Sequence, residues 1–314
     1  MHFTICIVTR NRSNQISTAL KSMVALAHPD WDVVIVDQSQ DDDTWHIVSR
    51  MVGDDLRFRY VRSNTIGSSV ARNIAISEAR GPLLAFTDDD CEVLPGWLDR
   101  LERSFQEHDD VGLIYGSVIS GPHDPRRGFI PDCPIYHFKQ VDTPWQKWRI
   151  RGIGANMACR VNTVRLLGGF DEILGSGGPL HANLDGDLAY RMLRAGYAVL
   201  NVSDAIVVHH GFRPWEAGRP MLRGIGIGVS ATYMKHIRLG DWVALPTFLI
   251  EWRRCVYLRR LFLFRRPWGF GRFIGYGLGA LLSFHYSIDH QRRVYLLPLP
   301  KERGGEGLSG LDRD

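Results

Sequence analysis

Cysteine is scarce in this chain and follows no pairing pattern. The 314 residues contain five cysteines, an odd number, and no C-x-x-C pair. Disulfide frameworks and thiolate zinc sites both need regularly spaced cysteines. We therefore expect neither, and we interpret the five residues as buried, reduced thiols: Cys6, Cys91, Cys133, Cys159 and Cys255.

Long apolar runs are also missing. Near the C-terminus, the longest stretch without Asp, Glu, Lys or Arg is 273–288, which has 16 residues, whereas a helix needs about 20 apolar residues to cross a bilayer. At the N-terminus, no basic segment precedes the apolar run 3–8, which is too short for a secretory signal. We expect a cytoplasmic protein without a spanning helix.

A dinucleotide fingerprint and an internal repeat are absent as well. No G-x-G-x-x-G follows the first apolar run, which argues against a dinucleotide-binding dehydrogenase. With 45% apolar and 23% charged residues, the composition is that of an ordinary globular protein. Only the tail 301–314 is typical of disorder.

Excess positive charge is lacking from the first two thirds of the chain. Residues 1–210 hold 21 Lys and Arg against 26 Asp and Glu, a net of −5. Residues 211–300 hold 14 against 4, a net of +10, so the overall charge of +4 hides two opposite parts. We expect these parts to face different partners.

Alternating strand and helix patterns in the first hundred residues predict an α/β fold with a mostly parallel, Rossmann-like sheet flanked by helices. The predicted strands are short apolar runs, and Gly67 opens one of the predicted helices. The carboxyl ends of parallel strands converge on the ligand crevice of such sheets. Three predicted strands, 3–8, 31–37 and 83–86, deliver polar residues there: Thr9, Asp37, Asp88, Asp89 and Asp90.

The second half is predicted to contain further short elements around a long loop. Residues 121–149 are rich in Pro, Trp and Tyr without clear periodicity, and we interpret them as a loop over the site. The expected strands and helices are strands 111–120, 197–202 and 205–208 and helices 162–167 and 185–195. The last strand ends at His209 and His210.

Three consecutive carboxylates after a buried strand, 88–90, indicate a metal site. Adjacent carboxylates repel one another and need a cation or several donors to stay ionised. Magnesium and manganese prefer oxygen ligands and complete their shells with water and substrate phosphates. A phosphate-bearing substrate follows, although a helix cap or a solvated turn would also explain the triplet.

Ordered segments of the chain resemble one enzyme family. They are FTICIVTRNR, VVIVDQSQDDDT, GSSVARNIAISEARGPLLAFTDDDCEVLPGWL, GANMACR, LLGGFDE, DGDLAYRMLRAGY and AIVVHH. Over about residues 2–210 they are similar to the family-2 inverting glycosyltransferases of the GT-A fold. The resemblance implies a nucleotide-binding half at about 1–120, an acceptor half at about 121–210, a nucleotide-diphosphate sugar donor and a Mn²⁺ or Mg²⁺ cofactor.

The resemblance also implies roles for the residues at the strand ends. Thr9 and Asp37 would contact the nucleotide base, Asp37 by accepting a hydrogen bond from an imide N–H. Arg72, near a helix start that favours anions, would lie close to the nucleotide or its diphosphate. Asp88 and Asp89 would lie near the ribose or share in ligation. Caps, turns and surface ion pairs are the alternatives for these residues.

The metal and the sugar would be held by residues from several segments. Asp90 and His209 would bind the metal, with His210 as the alternative to His209. Asn156 matches a position at the junction of donor and acceptor, although turn chemistry would also explain it. Arg191 belongs, with Asp187, to an acceptor-side motif and is assigned to the sugar site.

An inverting enzyme needs a general base on the face of the anomeric carbon opposite the leaving group. Asp185 matches the base position of the family. The Glu that precedes it in the family is Leu184 here, which changes the environment of the base, and Asp187 could partly substitute. A simple helix cap is the alternative for Asp185. On the other face, a metal and Arg72 would stabilise the departing diphosphate.

Residues 211–300 lie outside the resemblance and interleave Arg pairs with aromatic residues. This composition favours an anionic membrane surface and a peripheral position on the inner face of the cell membrane. Arg pairs six residues apart are rotated by about 240° around a helix and do not form one polar face. A mainly helical hairpin that packs on the core, or a homodimer contact, is the alternative.

Three functions compete at this stage. We expect an enzyme that acts on a glycan or lipid-linked acceptor. A sugar-nucleotide-binding protein with little or no turnover is the alternative that Leu184 suggests. A nucleic-acid-binding module is suggested only by the +10 segment, and we expect no nucleic-acid partner because an acidic domain repels phosphate backbones.

Overall fold

A computed structural model of the protein describes residues 1–256 and 269–297. The strands are β1 (Phe3–Thr9), β2 (Trp31–Asp37), β3 (Phe58–Arg62), β4 (Leu83–Asp88), β5 (Cys91–Val93), β6 (Val111–Ser120), β7 (Gly128–Phe129), β8 (Lys139–Val141), β9 (Met157–Arg160), β10 (Ala198–His209), β11 (Arg213–Pro214), β12 (Ile288–Asp289) and β13 (Val294–Tyr295). The α-helices are α1 (Ser13–Val24), α2 (Asp43–Val52), α3 (Ser68–Ser77), α4 (Trp97–Glu107), α5 (Val161–Leu166), α6 (Leu184–Arg194), α7 (Gly218–Arg238), α8 (Ala244–Val256) and α9 (Gly269–Leu282).

Nine strands form one central sheet in the order β3-β2-β1-β4-β9-β6-β10-β5, with β8 paired to β10. Strands β1 to β4 are parallel, β9 is antiparallel to both of its neighbours, and β6 and β10 are parallel again. The predicted α/β fold with a mostly parallel sheet is confirmed.

Helices cover both faces of this sheet because successive side chains of a strand point to opposite faces. On β1, the buried Phe3, Ile5 and Ile7 pack in one core cluster with residues of α1 and α4. Cys6 packs in a second cluster with residues of α3, α5 and α6. The apolar runs of the sequence are therefore strands that are buried on two sides.

The register of the strands brings the polar strand ends together. Thr9 lies opposite Asp37 across β1 and β2, and Val8 lies opposite Asp88 across β1 and β4. Strand β5 turns back to pair with the end of β10, so that Cys91 faces His209. The residues after β4 and those at the end of β10 thereby meet at one edge.

Two expectations about the second half are wrong in detail. The strands predicted at 197–202 and 205–208 are one strand, β10, with an irregular pairing between Val202 and Ile206. The region 121–149 is not a loop throughout, since it contains β7, β8 and a 3₁₀-helix at Pro144–Arg149. Strands of two or three residues are too short to show the period-two pattern by which strands are recognised.

The described part of the C-terminal extension is mainly helical, and α7 and α9 pack closely through glycines. A Cβ on Gly226 would lie 2.3 Å from the Arg272 carbonyl oxygen, and one on Gly275 would lie 2.2 Å from that of Arg223. Such close approach requires glycine at both places. No helix of 1–256 or 269–297 is long and apolar enough to cross a membrane.

Several expectations fall on residues outside the described ranges. They concern the Arg pairs at 259–260 and 265–266 and the tail 301–314. Of the cysteines, Cys6, Cys91 and Cys159 are buried, Cys133 is half-buried, and all four are free thiols. Burial raises the pKa of the Cys6 thiol to about 12.

Candidate active site

The acidic triplet and His209 form the most strongly charged part of the site. Asp90 is buried, and its Oδ1 lies 3.1 Å from Nε2 of His209. The other ring nitrogen, Nδ1, lies 2.6 Å from the carbonyl oxygen of Pro131 and donates to it. This hydrogen bond fixes the tautomer, so a neutral His209 presents a lone pair on Nε2 toward Asp90. His210 lies instead 3.1 Å from Glu92.

The residues present fit a divalent metal ion. Ligand atoms of Asp88, Asp90, Cys91 and His209 all lie within 4.8 Å of one another. Burial raises the pKa of the Cys91 thiol, which leaves it protonated and a poor ligand. The remaining donors are two carboxylates and an imidazole, a set that suits manganese or magnesium completed by water and phosphate oxygens.

The three carboxylates carry unequal charge. Burial raises the pKa of Asp89 to about 7, with Arg12 opposing the shift. Burial also acts to raise that of Asp90, but the hydrogen bond and charge of His209, together with Arg12, lower it to about 2. Asp90 is therefore ionised at neutral pH and available to a cation.

Arg12 is a residue of this site that the sequence reasoning missed. Its guanidinium lies 3.1 Å from Oδ1 of Asp89 and also contacts Oδ2 of Asp90. It belongs to the loop between β1 and α1, three residues after Thr9. The basic loop Thr9-Arg10-Asn11-Arg12 at a strand end was the signal available in the sequence.

Thr9 and Arg72 are both tied to the triplet. The Thr9 hydroxyl donates to Oδ2 of Asp89 over 2.6 Å. Nη2 of Arg72 lies 3.1 Å from Oδ1 of Asp88 and 3.4 Å from the carbonyl oxygen of Gly154. Arg72 is 5% exposed and lies in the first half of α3, so a buried cation and the helix N-terminus both favour an anion here.

Asp185 lies at the start of α6 and is held by backbone donors. Oδ2 accepts from the N–H of Gly154 at 2.9 Å, and Oδ1 accepts from that of Gly186 at 2.8 Å. The Tyr115 hydroxyl donates to the Asp185 carbonyl oxygen over 2.8 Å. Burial raises the pKa of Asp185, against the effect of its backbone hydrogen bonds. A fixed carboxylate with a raised pKa is suited to accept a proton.

One cleft of about 1070 Å³ joins these groups. It is large enough for a nucleotide sugar with part of an acceptor. The predicted site residues that line it are Thr9, Arg72, Asp88, Asp89, Asp185 and His209.

Asp37 is not presented to the cleft. The residue has no exposed area, and its carboxylate accepts from the Tyr60 hydroxyl at 2.5 Å and from the Ser39 N–H at 2.8 Å. The expectation that Asp37 reads the base does not fit this arrangement. The neighbouring Gln38 lines the cleft and bonds Gly67 instead.

Asn156 is a structural residue in this fold, contrary to the expected place at the sugar. Its Oδ1 accepts from Trp97 at 2.9 Å, and its Nδ2 donates to Ser117 and Ala205 carbonyl oxygens, both at 2.9 Å. The residue has no exposed area. Its polar atoms therefore join three segments and face no ligand.

Asp187 and Arg191 are also misplaced by the sequence reasoning. They pair at 2.8 Å inside the protein and have 0% and 1% exposed area. Nζ of Lys235 lies 2.6 Å from Asp187 and 2.6 Å from Asp171. The four side chains form a buried ion cluster between α6, α7 and the segment before α6, so neither residue reaches a sugar and Asp187 cannot replace the base.

The fold places the chain among GT-A glycosyltransferases. A mannosyltransferase from Pyrobaculum calidifontis, solved with GDP-Man and Mn²⁺, superposes with a TM-score of 0.61 over 89% of this chain and 87% of its own, at 18% identity. TarS of S. aureus superposes with a TM-score of 0.60 over 85% of this chain and 44% of its own, also at 18% identity.

The sequence profile of Glycosyl transferase family 2 matches residues 4–162, and the chain belongs to that family. Similar curated proteins include a GalNAc(5)-diNAcBac-PP-undecaprenol β-1,3-glucosyltransferase of Campylobacter jejuni, which is 28% identical over 37% of this chain and 38% of its own. The poly(ribitol-phosphate) β-N-acetylglucosaminyltransferase TarS of Staphylococcus aureus is 28% identical over 43% of this chain and 24% of its own. The matches thus span less than half of either relative.

Proposed function

We propose that the protein is a metal-dependent, inverting glycosyltransferase that moves a sugar from a nucleotide-diphosphate sugar to a hydroxyl group of a glycan or lipid-linked acceptor. The observation that carries the proposal is the cleft itself, which joins the acidic metal-type site to Asp185. An inverting displacement needs both groups around one anomeric carbon.

In this mechanism the residues of the cleft divide the work. The acceptor oxygen forms a bond to the anomeric carbon while the bond from that carbon to the diphosphate oxygen breaks. The acceptor proton passes to Asp185, and the electron pair of the broken bond leaves with the diphosphate. Arg72 lies beside Asp88 at the start of α3, where it would stabilise the developing negative charge.

The metal would be held by Asp90, Asp88 and His209. A divalent ion bound there would supply positive charge to the departing diphosphate. Thr9 would keep Asp89 oriented through their hydrogen bond. The mannosyltransferase with Mn²⁺ and GDP-Man supports this choice of cofactor and donor class.

Leu184 does not by itself favour an inactive protein. Its side chain packs in the core cluster of α3 and α6, and a Cβ on Gly175 would lie 2.6 Å from it. A carboxylate at this buried position would have to be desolvated, so leucine is compatible with the local packing. Turnover of the wild-type protein decides between an enzyme and a mere binder.

The test is release of nucleoside diphosphate from a panel of nucleotide sugars with Mn²⁺ and candidate acceptors. Asp185→Asn and Asp90→Asn should each lower kcat by at least about a hundredfold, because they remove a base and a ligand. Asp204→Asn, an exposed carboxylate paired with Arg100, is the matched control. Equal turnover in the wild-type protein and the first two variants would refute the mechanism.

A further inference from the structure

Helix α9 has its small residues inside and its large apolar residues outside. Gly271, Gly275 and Gly279 recur every four residues and face α7, and a Cβ on Gly279 would lie 2.1 Å from a backbone oxygen there. Helix backbones approach this closely where small residues line the contact. The inner face of α9 is therefore filled by glycine, in contrast to the core-facing side of an ordinary surface helix.

The outer face of α9 carries the bulky side chains. Phe273 and Ile274 are 48% and 49% exposed, Leu281 is 67% exposed, and Phe284, just beyond the helix, is 63% exposed. Their spacing of three, four and seven residues puts them on one stripe of a helix. An exposed apolar stripe of this length marks a contact with another apolar phase.

The stripe continues onto α8. The rings of Trp252 and Phe273 are 6.4 Å apart, which joins the two helices at the surface. Leu245 and Leu249 are 39% and 49% exposed, and Trp242, just before α8, is 69% exposed. We call the exposed apolar residues of this region the α8–α9 face: Trp242, Leu245, Leu249, Phe273, Ile274, Leu281 and Phe284.

The surroundings of this face are positively charged. Arg219 and Arg223 are exposed on α7, where they pack beside Gly271 of α9, and Arg253 is exposed on α8. Residues 257–268, which connect α8 to α9 and lie outside the described ranges, add four arginines by sequence. A second copy docked through the same face would bring two such basic regions together, whereas an anionic surface would neutralise them.

We propose that the α8–α9 face lies on the surface of an anionic lipid bilayer. The apolar side chains would enter the boundary between head groups and acyl chains, and the flanking arginines would meet the lipid phosphates. Since α9 has 14 residues, it would lie along the bilayer surface. Vesicle binding requires no donor or acceptor, so this inference and the proposed function can fail independently.

The test is co-sedimentation of the full chain with vesicles. We expect binding to phosphatidylcholine mixed with phosphatidylglycerol, and at least about tenfold weaker binding to phosphatidylcholine alone, because each arginine near an anionic surface contributes roughly fivefold. Equal binding to both vesicles, or to neither, would overturn the proposal.

Glutamate substitutions locate the face. Leu281→Glu should weaken binding to the mixed vesicles by at least about tenfold, because it removes an inserted apolar group and adds a negative charge. Leu166→Glu on α5 is the matched control, since Leu166 is 75% exposed on another helix, and it should bind as the wild type does. Equal losses in both variants would show that the face is not involved.

Two further measurements guard this result. Phe284→Glu should reproduce the loss, and unchanged melting temperatures would show that both variants fold. Light scattering after size exclusion gives the oligomeric state of each variant. If Leu281→Glu turned a dimer into a monomer and left vesicle binding intact, the occupant of the face would be a second copy, and the membrane proposal would be wrong.

Discussion

Removing Arg12 should tighten the binding of manganese to the acidic site. In the metal-free protein, the guanidinium of Arg12 contacts both Asp89 and Asp90. A metal ion bound by Asp90 must compete with this cation for the same oxygens and is repelled by its charge. Arg12→Gln keeps a polar side chain in the loop and removes the competing charge.

The size of the effect follows from the exposure of the pair. Hydrogen bonds to charged groups contribute about 1.5–3 kcal/mol when they are shielded from water. The Arg12 side chain is 37% exposed, however, which places it between a buried pair and a surface pair. Surface pairs contribute about 1 kcal/mol or less, and a change of about 1 kcal/mol corresponds to a roughly fivefold lower Kd for Mn²⁺.

The assay is a titration with Mn²⁺ in which electron paramagnetic resonance measures the free ion, so neither donor nor acceptor is needed. Arg10→Gln is the control, because Arg10 lies in the same loop and makes no ion pair with the triplet among residues 1–256 and 269–297. It should change the Kd by less than about twofold. Unchanged or weaker binding in Arg12→Gln would show that Arg12 holds the ligands in place and does not compete with the metal.

Three further predictions concern pH and packing. Because burial raises the pKa of Asp185, kcat/KM should fall with an acidic limb above about pH 3.9, the ordinary aspartate value, and a pH profile that stayed flat down to that value would contradict this. Burial lowers the pKa of His236 to about 4, so the unfolded state binds a proton that the folded state rejects, and the free energy of unfolding should fall as pH drops from about 6.5 to 4, by at most about 3 kcal/mol; urea titrations of His236→Gln should show a shallower fall, while those of exposed His46→Gln should match the wild type. Gly275→Ala should lower the melting temperature because its Cβ would meet a carbonyl oxygen at 2.2 Å, whereas Gly277→Ala, with no atom within 4 Å, should leave it unchanged or raise it.

Strand ends could be predicted from the sequence because two simple rules combine there. Apolar runs locate the buried strands, and parallel strands direct their carboxyl ends to one edge. Thr9 and Asp88 accordingly meet in the cleft, and His209 joins them because β10 is parallel to β6 and ends at the same edge. Arg12 was missed because a loop has no period from which the direction of a side chain follows.

The direction of side chains around α6 explains the main error at the sugar site. Asp185 and Asp187 are two residues apart and are therefore separated by about 200° around the helix. When Asp185 faces the cleft, Asp187 must face the core, and Arg191, four residues further, lies on the same side as Asp187. A motif places all three residues on one helix, but only the packing of that helix shows which of them a ligand can reach.

Lys235 changes the meaning of the charge split between 1–210 and 211–300. This cation belongs to the basic extension by sequence, yet it is completely buried between Asp171 and Asp187 of the acidic part. Removing one member of a buried ion pair costs about 3–5 kcal/mol, because an uncompensated charge remains inside. The helix that begins at the proposed base is therefore held by a residue of α7. Residue 210 marks a change in net charge, while the packing of the catalytic site continues across it into the extension.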